Sequence, residues 1–231
     1  MRYAVFYAPP ADQVFWRLGS DWLGRDAASG QEQAQPALPG VAADSQAALT
    51  RAAARYGWHA TLKAPFHAAA GIDRTALLAA VADLARGFTP FEIALRVDWL
   101  DDFLALRPDA GTAPLLLELA TACTVGLQPL TDASRPLPPR PGLSSRQLAL
   151  YRRWGYPYVF EQYRFHLTLS QALARSTPLA AALEQGARDY FADPVRQCVD
   201  GLALFVEPGP GLPLRYLAHC GFDGEVRHYG G

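Results

Sequence analysis

Trp58-His59-Ala60-Thr61-Leu62-Lys63 and Phe165-His166-Leu167-Thr168-Leu169-Ser170 repeat one pattern (aromatic, His, apolar, Thr, Leu), displaced by 166 − 59 = 107 residues. A tyrosine stands three places before each histidine, Tyr56 and Tyr163. Side chains alternate between faces along a strand. His59, Thr61 and Lys63 are therefore predicted to share one face, with Trp58, Ala60 and Leu62 on the other. In the second copy Arg164, His166, Thr168 and Ser170 share a face opposite Phe165, Leu167 and Leu169. Each strand buries an apolar face and presents an imidazole, a hydroxyl and a further polar group. With five His and ten Thr in 231 residues, chance gives roughly 0.2 His-x-Thr triplets, so two copies with matched flanks indicate duplication.

Upstream of the first copy, residues 2–8 read as a strand stopped by Pro9-Pro10. Asp12 is placed to cap a short helix carrying Val14, Phe15 and Leu18. Trp22-Leu23-Gly24-Arg25-Asp26 leads into a polar loop ending near Pro39, a segment that suits either a lid or a solvated surface. A helix over about 44–54 then delivers the chain to the motif. Downstream, the spacing predicts a helix over 73–86 capped by Asp73, strands at 91–99 and 103–107 joined by Asp101-Asp102, and a helix over 113–125.

Five prolines between Gln128 and Ser145 mark a connection between two lobes. After it come a short helix at about 144–154, the second motif, a helix over 178–190, and strands near 198–206 and 213–222. Each half thus reads motif strand, helix, strand, strand. The predicted architecture is α+β: a single two-lobed, pseudo-twofold domain, each lobe a mostly antiparallel sheet with helices outside, the motif strands facing across a cleft. Its first lobe spans about 40–127, the connection 128–145 and the second lobe 146–231, with the strand at 2–8 joining a sheet.

The formal net charge is −1, which offers no broad basic field for long nucleic acid and favours a small phosphorylated substrate. Cys123, Cys198 and Cys220 are odd in number and widely spaced, so reduced thiols are expected rather than disulfides or a zinc site. No signal-peptide pattern and no apolar run of membrane-spanning length is read, so a cytoplasmic monomer without membrane attachment is expected. Lys63 is the single lysine among 21 basic residues. A compact ammonium beside His59 and Thr61 suits a phosphate oxygen.

The two His-x-Thr motifs, about a hundred residues apart on strands of a duplicated fold, resemble the two-histidine phosphoesterase superfamily. Trp22–Asp26, Arg55–Phe66 and Phe165–Leu169 more closely resemble a branch encoded in phosphonate-utilisation operons. The resemblance implies a bilobal fold, cyclic or internucleotide phosphodiester substrates and metal-free catalysis, with His59, Thr61, His166 and Thr168 in the catalytic and phosphate-binding positions.

Two imidazoles with ordinary pKa near 6.5 can divide general base and general acid duties, and threonine hydroxyls can donate to phosphate oxygens. Lys63 and Arg164 are the expected cations, with Arg25, Tyr56 and Tyr158 as further substrate contacts. His67, His219 and His228 lack a partner motif and read as surface or locally bonded residues. The expectation is a phosphoric diester hydrolase opening a small cyclic phosphate, with neither metal nor cofactor. The alternatives are RNA end ligation or trimming, and a non-catalytic sensor of a phosphorylated or phosphonate metabolite. No Walker or Rossmann glycine pattern is present.

Overall fold

The computed structural model describes residues 1–192 and 194–230. Strand β1 (Arg2–Tyr7) is buried along nearly its whole length, and helix α1 (Val14–Leu23) closes on Gly24 at φ 77°. Its N-cap is Gln13 with no side-chain bond, so Asp12 does not cap as expected; its carboxylate lies 3.5 Å from Arg227 instead. Helix α2 (Ala43–Tyr56) ends at Gly57, φ 85°, where an added Cβ would stand 2.5 Å from the Ala27 Cβ. Glycine is required there on both counts, and it turns the chain into β2 (Ala60–Phe66).

Helix α3 (Arg74–Ala85) is capped by Asp73, which accepts from the Ala76 N–H at 2.8 Å. Strands β3 (Phe91–Leu100) and β4 (Phe103–Pro108) form a hairpin through Asp101-Asp102, and α4 (Ala113–Gly126) follows. Ser144 and Gln147 make a reciprocal capping box for α5 (Ser145–Trp154). The remaining elements are β5 (Leu167–Thr168), α6 (Pro178–Phe191), β6 (Val195–Val199), β7 (Gly201–Glu207), β8 (Arg215–Gly221) and β9 (Val226–His228). The strand expected over 198–206 is two strands: the chain leaves one sheet at Val199 and enters the other at Gly201.

The class is α+β, with two antiparallel sheets ordered β2-β1-β7-β8-β9 and β5-β4-β3-β6, and six α-helices among the described residues. These sheets are not assembled from contiguous halves of the chain. The first motif strand lies in the sheet of β7 to β9 from the C-terminal half, while the second pairs with β4 from the N-terminal half. One buried cluster runs through the molecule, with Trp16, Trp22 and Trp58 among its largest members.

Residues Ala113–Leu130 are 18 in number with mean hydropathy 1.3, long and apolar enough to cross a membrane by length and composition. This corrects the expectation that no such run exists. A third of the segment is buried; Leu116, Leu119, Ala120 and Cys123 pack inward, and α4 lies against β2 and α3. Cys123 and Cys220 are buried and Cys198 partly so, all as free thiols.

Candidate functional site

The first motif is set by the deep burial of Trp58, fully enclosed between Phe191, stacked at 5.5 Å and 4°, and the edge of Phe15 at 5.5 Å. Gly19 lies against the indole; a Cβ there would come within 2.0 Å of it. With Trp58 pinned inward, His59 faces the other way, tilted over Phe6 at 4.0 Å and stacked with Tyr56 at 5.9 Å. Its Nδ1 sits 2.8 Å from the Gly57 carbonyl. A carbonyl only accepts, so Nδ1 carries the proton and Nε2 is the basic nitrogen.

The second motif is less regular than expected, since ladder pairing covers only Leu167 and Thr168. Phe165, Leu167 and Leu169 are buried as predicted. His166 is fixed as His59 is, its Nδ1 lying 2.7 Å from the Arg164 carbonyl. The alternation fails at Ser170, which is fully buried and accepts from the Leu104 N–H at 3.0 Å, so it supports β4 instead of facing the cleft. The motifs are tied to common elements: Trp22 Nε1 donates to Leu169 O at 2.8 Å, Gln171 N donates to Leu49 O at 2.7 Å, and Tyr7 meets Phe165 at 5.6 Å.

A cavity of about 170 Å³ brings the two copies together. Thr61 from the first and His166 from the second line it, with Arg164, Asp101, Tyr158, Tyr156 and further aromatic and polar side chains. His59 and Thr168 are not among its lining residues. A proton on His166 would oppose protonation of His59, so the two imidazoles lie within electrostatic reach of each other. Among the described residues neither Nε2 nor the Thr61 and Thr168 hydroxyls have a hydrogen-bond partner.

Burial pushes the His59 pKa down to about 4, with the Gly57 bond opposing and His166 adding to the fall. His166 is lowered too, by burial first and then by Arg164 and Arg107 against its carbonyl bond. Both rings are thus biased to the neutral form, a basic Nε2 with the tautomer set by backbone.

Two expected substrate contacts are used elsewhere. Arg25 donates to the carbonyls of Ala54 at 3.1 Å and Leu214 at 2.7 Å, joining the end of α2 to the approach to β8, and it is not among the residues lining the cavity. Lys63 is buried, and its ammonium donates to Gln128 Oε1 at 3.0 Å and Thr124 O at 3.4 Å. The cause is a β-bulge: Phe6 pairs with Thr61 but Val5 with Lys63, so one extra residue breaks the alternation and takes Lys63 off the shared face. Burial brings the Lys63 pKa down to about 8.

Tyr56 lies beside His59, and Tyr158 lines the cavity. Arg140 lies over both Tyr156 and Tyr158, at 5.5 and 5.3 Å, and braces that wall. Tyr156, Gln162, Phe103 and Asp101 were not expected as lining residues; only the paired position of Tyr163 with Tyr56 hinted at one further member. The polar loop after Gly24 is fastened by a backbone β-bridge between Arg25 and Glu32 and by Gln35 donating to Trp22 O and Thr50 Oγ1. His219, expected to be locally bonded, is buried against the Tyr216 hydroxyl at 3.0 Å. Among the described residues no three His, Cys, Asp or Glu side chains group as metal ligands would.

Fold and site together define an α+β protein with a small cavity where a repeated His-x-Thr motif meets itself. The chain belongs to the DUF1045 family, described as a protein of unknown function, whose model matches residues 61–215. It is 46% identical over 215 residues to the ribose 1,5-bisphosphate phosphokinase PhnN of Laribacter hongkongensis (strain HLHK9), covering 93% of this chain and 50% of that protein. It is 36% identical over 237 residues to the protein of the same name from Janthinobacterium sp. (strain Marseille), covering 97% of this chain and 51% of that one. The chain thus spans about half the length of the curated relatives it matches. These matches agree with the phosphonate-operon branch that the motif flanks resemble. They correct the expectation of a phosphoric diester hydrolase, because the relatives are named as a phosphokinase, a phosphoryl transferase. The crystal structure of the Thermus thermophilus protein TT0787 covers 97% of this chain and 100% of its own, at TM-score 0.48 and 19% identity.

Proposed function

We propose that the cavity between the motif copies binds a phosphorylated ribose, the compound class named in the curated relatives, and that the chain serves phosphonate metabolism. The two motif copies are read as pseudo-twofold equivalents, as in the two-histidine superfamily they resemble. One observation carries the reading: Thr61 and His166, from copies 107 residues apart, line the same cavity. Phosphate oxygens would take hydrogen bonds from the Thr61 hydroxyl and the Arg164 guanidinium, which line the cavity. The neutral Nε2 atoms of His59 and His166 are suited to accept a proton from a ligand hydroxyl or phosphate and to return it. Tyr56 and Tyr158 would bound the sugar side.

The relatives' activity belongs to proteins about twice as long, and no Walker-type phosphate loop stands in this chain. Ribose-phosphate recognition with proton handling is therefore the part assigned to this site. Titration calorimetry with ribose 1,5-bisphosphate tests it. Binding that weakens at least tenfold in both His166→Ala and Thr61→Ala supports the reading, and a wild-type protein that binds none overturns it.

A further inference from the structure

Arg164 and Asp101 both line the cavity, and they are locked end to end. Arg164 Nη1 donates to Asp101 Oδ1 at 3.1 Å and Nη2 to Oδ2 at 2.9 Å, so the end-on Nη1/Nη2 edge of the guanidinium is occupied by a carboxylate. A bound phosphate would want that same fork. We propose that Asp101 is a specificity-determining residue: it holds the Arg164 guanidinium in the cavity wall, and only a ligand phosphate dianion, not a neutral sugar, takes the guanidinium over.

Three observations make the exchange easy. The pair is well exposed, 46% for Arg164 and 64% for Asp101, and an ion pair so hydrated contributes little to stability. The turn that carries Asp101 is held by its backbone, with Arg175 donating to Asp101 O and Leu173 N to Asp102 O at 2.9 Å, so the carboxylate can swing without the turn moving. Arg107 and Arg175 also act on the Asp101 carboxylate, so a displaced Asp101 still has cations beside it. A dianion with three acceptor oxygens outcompetes a single carboxylate for the fork, whereas an uncharged ligand does not.

The inference rests on the ribose-phosphate reading above, and one titration series separates the two. Asp101 has φ 54°, a conformation asparagine tolerates well, so Asp101→Asn removes the charge without straining the turn. Calorimetry with ribose 1,5-bisphosphate is expected to show Asp101→Asn binding roughly threefold to tenfold tighter than wild type, at unchanged melting temperature. The gain should disappear when Asp101→Asn is placed in an Arg164→Ala background. Unchanged or weaker binding in Asp101→Asn, or the same gain without Arg164, overturns the proposal while leaving the site reading intact. No binding by the wild type removes the site reading and this inference with it.

Discussion

His59 and His166 are anchored by the same bond, Nδ1 to the carbonyl two residues earlier, at 2.8 Å to Gly57 and 2.7 Å to Arg164. The repeat therefore extends from residue identities to tautomer. Both rings are expected to be neutral with Nδ1–H at pH 7, and nitrogen-detected NMR of the imidazoles checks this. His59 should protonate only near pH 4. Its folded pKa lies below the unfolded value of about 6.5, so the unfolded chain binds more protons between them. Stability should accordingly be intact above pH 6.5 and decline by about 1–3 kcal/mol as pH falls to 4, read from urea midpoints in wild type against His59→Gln.

Gly19 leaves no room for a side chain, because its Cβ would overlap the Trp58 indole at 2.0 Å. Gly19→Ala is expected to destabilise by about 1–3 kcal/mol, as over-packed cores do. The strain acts on the residue preceding His59, so ligand affinity should fall as well. Thermal melts and calorimetry on the one variant read both effects.

Glu207 is almost wholly buried and joins Arg2 and Arg55, each about one-third exposed, while also accepting from the Gly211 N–H at 3.0 Å. The Arg2 hydrogen bond, ahead of an opposing burial effect, holds its carboxyl below the usual range. That stability is present above the unfolded carboxyl pKa and is lost as pH falls through the folded one. Glu207→Gln should cost about 3 kcal/mol at pH 7 and flatten the acid limb of the stability profile, measured by denaturant titration across pH.

Lys63 fastens the end of α4 to β2 through Thr124 O and Gln128. Lys63→Met should lower the melting temperature yet leave ribose 1,5-bisphosphate affinity within about twofold of wild type, because the ammonium lies outside the cavity wall. A tenfold loss of affinity at unchanged stability would return Lys63 to the ligand.

Much of this was legible locally. Alternation placed Trp58, Ala60 and Leu62 inside, as it did Phe165, Leu167 and Leu169. Helix α3 starts at the Asp73 cap, and the Asp101-Asp102 turn joins β3 to β4. What failed depended on distant partners. The bulge that removes Lys63 is set by pairing with β1, and Arg25 is consumed by carbonyls 29 and 189 residues away. Asp101 reaches the cavity only because β5 docks on β4, a long-range pairing that no local pattern encodes. The interleaving of the sheets has the same origin, since motif spacing reveals a repeat but not which strands the repeats pair with.

In the proposed complex both imidazoles meet one phosphorylated ribose. With five histidines in the chain, each Cε1–H resonance can be assigned by single His→Gln variants and followed while ribose 1,5-bisphosphate is added. His59 and His166 are expected to shift together along one saturating curve, while His67 and His228 stay still. Movement of only one of the pair, or two curves with separate midpoints, would show that the two imidazoles do not share one ligand.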